Sequence, residues 1–368
     1  MKLLMTCSAG LEAIAKNEIK KQGGTILEVK DRLVFFEGDI ETMIKINLWS
    51  RVGNKVYIVL NEAKNVDNFD KLFDMIYDIN WSKYIDKNYP IYTKATSIKS
   101  SLTSTPALQK ITKKAIVEKL TKRSGNALFE DEKLKPYEIL TFLNDDEAFI
   151  LLNTSGETLY KRGYRIDAGD APIKESLAAA LVILSNWKYS DNFYDITCGS
   201  GTIAIEAIMF ARNIAPGLKR RFDFDKRGFV PSELVKKLKN EAREKEFNNK
   251  HTIIASDIEP EMIAIAKENA MRAGVDGMIK FEVKDFREYK KEKLSGTIVS
   301  NPPYGVRLKE DDLRGFYKDL NMILDKNKDL SGGIITSYID FDNIINLKNY
   351  KKRKLYNGNE MCYFYMKK

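Results

Sequence analysis

The residues with the clearest chemistry are Asn301-Pro302-Pro303-Tyr304, which close the apolar run IVS with an amide, two rigid rings and an aromatic. Neither proline carries an N–H, so the strand they end cannot extend its ladder. An exocyclic amine conjugated with a nucleobase has a delocalised lone pair and is a poor nucleophile. The side-chain oxygen of Asn301 and the carbonyl of Pro302 make an acceptor pair for the two amine hydrogens, which frees the lone pair for in-line attack. The prolines hold that carbonyl rigid, and Tyr304 can stack on the base, a contact worth roughly 1–3 kcal/mol. This is catalysis by positioning and electrostatics, with no metal and no covalent intermediate.

Three further strand ends carry acids. In DITCGSGTIAIEA (195–207) an apolar run passes through Gly199-x-Gly201 directly into a helical pattern. Glycines let the backbone approach a ligand, and the helix start presents free N–H groups. The phosphate-cradle form G-x-x-x-x-G-K-[ST] is absent, and Ala204 stands where a dinucleotide loop has its third glycine or an alanine. By itself the GxG fits a ligand loop and a tight structural turn equally. Asp195 just before it would repel a pyrophosphate and suits an ammonium or sulfonium group. TIIASDI ends on Asp257, where doubly wound folds place an acid for ribose hydroxyls. IKFEVKD ends on Asp285, an acceptor for an adenine amino group, followed by Phe286 to cover the ring face.

Other chemistries find little material. His251 is the single histidine, and it enters a strand pattern with no motif around it. Clusters with metal-ligand spacing are absent, as is a serine or cysteine triad. The three cysteines, Cys7, Cys198 and Cys362, are far apart and odd in number, which argues against a disulfide framework and for a cytoplasmic protein. The apolar runs are too short to cross a bilayer, which takes about 20 residues.

The elements that must position these residues alternate. FYDITC, TIIASDI, IKFEVKD, GTIVSNPP and GGIITSY read as strands, with TIAIEAIMFARN, PEMIAIAKENAMRAG and LRGFYKDLNMILDK as helices between them. That rhythm predicts an α/β parallel sheet covered on both faces, with all the chemical residues at one edge. KKRKLYN and MCYFYMK around Gly358 predict an antiparallel hairpin at the end of the chain, and KESLAAALVILSNW (174–187) a helix leading into the first strand. The first 170 residues predict small α+β units instead. MKLLMTC, ILEVKDRLVFFEG and KVYIVLNEA read as strands, LEAIAKNEIKKQG and IETMIKINLWS as helices. IYTKATS, the helix PALQKITKKAIVEKLTKR and a YEILTFLNDDEAFILLNTS hairpin turning at Asn144-Asp145-Asp146 follow. The linker expected between the halves is GYRIDAGDAP, 163–172.

Sixty-one Lys and Arg against 52 Asp and Glu leave a net charge of +9, which suggests a polyanionic partner. The excess sits in two islands: 94–124 has eight basic side chains against Glu118 alone, and 217–250 has eleven against six acids.

The four strand ends, in this order, resemble a class I S-adenosylmethionine-dependent methyltransferase that acts on exocyclic amines. RGYRIDAGDAPIKESLAAAL, DITCGSGTIAIEAIMFARNIAPGLKRRF and NPPYGVRL together resemble bacterial THUMP-domain RNA guanine-N2-methyltransferases, stand-alone homologues of the N-terminal half of a bifunctional enzyme of 23S rRNA. The resemblance implies a ferredoxin-like segment over 1–65, a THUMP RNA-binding domain over 66–165 and a seven-stranded Rossmann-like methyltransferase domain over 166–368. Carried over, Asp195, Gly199 and Gly201 lie against the methionine part of S-adenosylmethionine and Asp257 takes the ribose, with Thr197 and Ile258 also at the cofactor. Asp285 and Phe286 take the adenine. Asn301, which also borders the cofactor, holds the target guanine with Pro302 and Tyr304. Lys94, Lys99, Lys110, Lys113, Lys114, Arg220 and Arg221 supply RNA phosphate contacts. Thr197, Lys174 and Val306 depart from the family's usual residues. Other functions sharing NPPY or the basic islands are a tRNA guanine-N2-methyltransferase, a DNA adenine-N6-methyltransferase and an RNA-binding module without catalysis.

Overall fold

The computed structural model describes residues 1–86, 88–124, 130–165, 173–303 and 310–367. Tyr304, Val306 and positions 166–172 of the expected linker lie outside them. The fold is α/β, built on two seven-stranded sheets. The first contains β1 (Lys2–Cys7), β2 (Thr25–Lys30), β3 (Leu33–Glu37), β4 (Gly53–Ala63), β5 (Ile91–Ile98), β6 (Tyr137–Asn144) and β7 (Glu147–Asn153), in spatial order β2-β3-β1-β4-β7-β6-β5. Its helices are α1 (Glu12–Lys21), α2 (Ile40–Trp49), α3 (Phe69–Tyr77) and α4 (Thr105–Ser124).

The two α+β units expected before residue 170 therefore share one sheet, joined where β4 pairs antiparallel with β7, Tyr57 opposite Asn153. The position of each strand follows from its pattern. β7 is the near-continuous apolar run EAFILLN and is buried from Ala148 onward, as a central strand must be. β6 alternates buried and half-buried along YEILTFLN. Asp145 and Asp146 turn the β6–β7 hairpin with positive φ, a conformation Asp tolerates better than most residues.

The second sheet contains β8 (Phe193–Asp195), β9 (Ile253–Asp257), β10 (Lys280–Val283), β11 (Gly296–Ser300), β12 (Leu330–Thr336), β13 (Tyr350–Asn357) and β14 (Glu360–Lys367). Its order is β10-β9-β8-β11-β12-β14-β13. All neighbours are parallel except β14, which runs antiparallel to both β12 and β13. The terminal hairpin and its turn at Gly358 are as the sequence predicts. Strand order reverses between β8 and β11, and ligands of open α/β sheets bind in the crevice at that point.

Helices α5 (Glu175–Leu184), α6 (Thr202–Ala211), α7 (Ser232–Glu244), α8 (Pro260–Ala273) and α9 (Glu310–Lys326) accompany this sheet. α6 is buried nearly all round, which explains why TIAIEAIMFA carries no polar stripe. Its one acid, Glu206, is fully buried and accepts from Arg162 Nε at 2.7 Å and from the Tyr164 hydroxyl at 3.0 Å. Arg162 also donates to the carbonyl of Arg51, and Arg51 donates to the carbonyls of Met209 and Ile214 at the end of α6. This cluster fixes the helix that starts at the GxG loop to the N-terminal unit. Glu206→Ala would leave a buried guanidinium without its carboxylate, at a cost of about 3–5 kcal/mol. We expect a lower Tm, with Glu206→Gln milder because it keeps an acceptor. Among the described residues no helix is long and apolar enough to cross a membrane.

Candidate active site

β8 ends at Asp195, which is buried. Its Oδ1 accepts from the hydroxyl of Ser300 at 2.9 Å, and the same hydroxyl accepts the N–H of Ile196 at 2.9 Å. Ser300 thus continues with its side chain the β8–β11 ladder that the backbone has just left. Burial pushes the Asp195 carboxyl up to about 7, and the nearby Asp257 charge adds to the rise; the Ser300 hydroxyl and the Thr197 N–H oppose it. The other oxygen, Oδ2, is buried with no hydrogen-bond partner among the described residues, as are Thr197 Oγ1 and Asn301 Oδ1. A buried polar atom left unpaired costs about 1–3 kcal/mol. Three at neighbouring strand ends mark the place where a polar ligand belongs.

The two glycines have different duties. Gly199, at φ +50°, would point a Cβ into open space. Its N–H donates to Asp257 Oδ2 at 2.9 Å, tying the loop to the end of β9. Gly201, at φ +80°, would bring a Cβ to 2.9 Å from Cβ of Ala266 on α8. It provides close helix packing, whereas Gly199 faces the crevice. Gly201→Ala should therefore lower Tm through both strain and collision, about 1–3 kcal/mol for the backbone alone. Gly199→Ala should cost less stability and instead weaken cofactor binding, as titration calorimetry would show.

On the other side of the crevice, Val283 at the end of β10 is in register with Asp257, and Ile258 follows on β9. Both are more than half exposed, 55% and 57%. Two exposed aliphatic side chains at adjacent strand ends suit the faces of a purine. Asp285 Oδ1 accepts from the N–H of Arg287, and its Oδ2 lies 3.2 Å from the Arg287 guanidinium. Phe286 is buried, its ring 4.4 Å from that of Phe316. Pro302 is buried beside Asn301, and the Pro303 carbonyl accepts from the Tyr317 hydroxyl at 3.3 Å.

The structure brings Asp195, Thr197, Gly199, Gly201, Asp257, Ile258, Asp285 and Asn301 to the carboxyl edge of one sheet. The orphaned acceptors and the open space at Gly199 fit a cofactor with a cationic end and an adenosine. Ser300 and Val283 escape sequence reasoning. The one available signal for Ser300 is a hydroxyl at the end of a run, GTIVS, that is otherwise buried and apolar.

The basic residues scatter. Lys110 and Lys99 are exposed, Lys99 at positive φ. Lys94 pairs with Glu138 and Lys113 with Glu130, and Lys114 lies over the Phe73 ring. Arg221 is exposed. Arg220 is buried and donates to the carbonyls of Glu157, Thr158 and Lys161, so it holds a chain segment in place.

A family model described as RMKL-like, methyltransferase domain, matches residues 162–365, and one described as the RlmL ferredoxin-like domain matches residues 2–57. The Bacillus subtilis (strain 168) protein named "Putative RNA methyltransferase YpsC" is 40% identical over 361 residues, 97% of this chain and 93% of that protein. "Ribosomal RNA large subunit methyltransferase K/L" of Marinobacter nauticus is 30% identical over 372 residues, covering 96% of this chain and 51% of that protein. This chain thus spans about half the length of that relative. The crystal structure of SMU.472, described as "a putative methyltransferase complexed with SAH", matches with a TM-score of 0.92 at 36% identity, covering 99% of this chain and 97% of that one.

Proposed function

The chain belongs to the family of the RMKL-like methyltransferase domain and is an S-adenosylmethionine-dependent methyltransferase, and from that premise we propose that it methylates the exocyclic N2 amine of a guanine in RNA, 23S rRNA first among candidates. The observation that carries this reading is the Oδ1 of Asn301, buried and without a partner among the described residues, immediately before two prolines. We assign it, with the Pro302 carbonyl, to the two hydrogens of the target amine. Both acceptors polarise the N–H bonds and stabilise the positive charge that grows on nitrogen as the lone pair is committed. Once alkylated, the nitrogen is acidic enough to lose its extra proton to water, so no basic side chain is required.

S-adenosylmethionine, when bound, supplies an electrophilic methyl group. Asp195 Oδ2 and Thr197 hold its cationic end, Asp257 the ribose, and Ile258 with Val283 the adenine faces, while Asp285 shares its carboxylate between Arg287 and the adenine amine. Tyr304 serves as the stacking platform for a base that has left its helix, at a cost of a few kcal/mol. Residues 1–65 act as the ferredoxin-like domain, 66–165 as a THUMP RNA-binding domain and 166–368 as the methyltransferase domain.

The test is transfer of labelled methyl from S-adenosylmethionine to protein-free rRNA from a strain lacking this gene, with tRNA and DNA arms and identification of the labelled nucleoside. N2-methylguanosine in rRNA supports the reading. The same product confined to tRNA would change the substrate and keep the chemistry, whereas N6-methyladenine in DNA would overturn it.

A further inference from the structure

A cleft of about 410 Å³ opens on the first sheet, sharing no residue with the methyl-transfer crevice. Tyr92 and Lys94 of β5 and Glu138 of β6 line one side, Lys135 leads into it, and the segment carrying Tyr160 and Lys161 lines the other. We propose that this cleft binds a single-stranded stretch of the RNA substrate, its phosphates on Lys94, Lys135 and Lys161 and its bases against Tyr92 and Tyr160. The proposal rests on the RNA reading above and deepens it, because nothing in the methyl-transfer site says where the rest of the substrate lies.

The walls are built features. Arg220 clamps one of them through the carbonyls of residues 157, 158 and 161, and Arg227 clamps the other through the carbonyls of Lys135 and Pro136. The basic insert thus contributes two guanidiniums that shape the cleft rather than line it.

Charge is layered by depth. Glu138 and Asp223 are recessed, their side chains 15% and 5% exposed, whereas the ammonium-bearing chains of Lys94, Lys135 and Lys161 are 43%, 63% and 58% exposed. Glu138 is shared by Lys55 and Lys94, at 2.8 Å from each, and Asp223 holds Lys135 at 2.5 Å. Each recessed acid orients an ammonium from below and leaves its outward N–H groups for another acceptor. Glu157, the exposed acid of the lining, lies 3.6 Å from the Lys161 ammonium, so the outer layer has three cations against one anion, one of the three paired with it. Tyr92 is half exposed with Lys94 Nζ 5.5 Å from its ring centre, and Lys174 Nζ lies 4.9 Å from that of Tyr160. Cations interleaved with accessible aromatic rings are the composition that binds single strands without base readout.

The experiment measures binding of a labelled 15-nucleotide single-stranded RNA to the full chain saturated with SAH, as a function of salt. A Lys135→Gln/Lys161→Gln variant should weaken binding about tenfold and reduce the slope of log affinity against log salt by about 1.4, from about 0.7 for each lost phosphate contact. Tyr92→Leu should weaken binding about tenfold with the slope unchanged. A Lys20→Gln/Lys21→Gln control at the exposed end of α1 should move neither by more than twofold. Photocrosslinking of 4-thiouridine RNA to wild-type protein should label peptides containing Tyr92 or Tyr160, a readout independent of any variant.

If the α1 control carries the slope, or crosslinks avoid the cleft while methyl transfer to RNA proceeds, the cleft assignment is overturned and the functional reading survives. If adenosine monophosphate displaces the oligonucleotide as well as RNA does, the cleft is a small-molecule site and the proposal fails. If the wild-type chain neither binds nor methylates RNA, both fall together.

Discussion

Asn301→Ala is expected to lower kcat for methyl transfer by a factor of roughly 10²–10³, the usual effect of deleting one preorganised group aimed at developing charge. SAH affinity should fall far less. The Oδ1 atom is buried and without a partner among the described residues, on a backbone that two prolines hold in place. An amide oxygen kept dry and unpaired gains most when its partner becomes cationic, which happens only as the nucleophilic nitrogen commits its lone pair. The loss should therefore appear in kcat more than in the Michaelis constant for RNA. Asn301→Asp keeps an acceptor oxygen of the same reach and should retain more activity than Asn301→Ala. A single-turnover assay with saturating cofactor separates the chemical step from binding. An Asn301→Ala enzyme within tenfold of wild type would remove Asn301 from the catalytic role, and with it the assignment of the Pro302 carbonyl.

Most of the second sheet was legible because its central strands β8, β11 and β12 are buried on both faces and read as apolar runs, while the edge strand β10, KFEV, shows itself by alternation. Asp195, Asp257, Asp285 and Asn301 each stand at or just past a strand end, and parallel topology brings those ends to one edge. What escaped was non-local or lacked its usual marker. ILEVKDRLVFFEG reads as one strand stretch, but it folds as the hairpin of β2 and β3 because Arg32 adopts φ +62° with no glycine or asparagine to announce it. The joining of β4 to β7 depends on residues nearly a hundred positions apart, beyond any local pattern. Arg220 and Arg227 count as free charge by composition. In the fold their guanidiniums, with five donors each, are spent on backbone carbonyls, something a lysine does with poorer geometry.

The second large effect concerns pH. The Asp195 carboxyl stands at about 7 in the cofactor-free protein, raised chiefly by burial and further by Asp257. An ordinary carboxyl in the unfolded chain ionises near 4. The folded state therefore holds this proton more tightly than the unfolded state, so stability from this group is full below pH 4 and is lost as pH rises to 7. By pH 8 the accumulated penalty is about 4 kcal/mol at most. Asp195→Asn should accordingly raise the Tm of the cofactor-free protein at pH 8, with the gap closing towards pH 4. Cofactor binding should run the other way. A cation against Asp195 is favoured by the ionised carboxylate, so S-adenosylmethionine affinity should rise about tenfold per unit below pH 7 and level off above it. Asp195→Asn should bind weakly with no such slope. Ser300→Ala removes a donor that lowers the carboxyl's pKa, so the midpoint should move upward, and Ser300→Thr should restore it. A wild-type affinity that is flat between pH 5.5 and 8 would show that Asp195 does not face the cationic end of the cofactor. A slope with S-adenosylmethionine but not with SAH would place the sulfonium there, and an equal slope with both would place the ammonium.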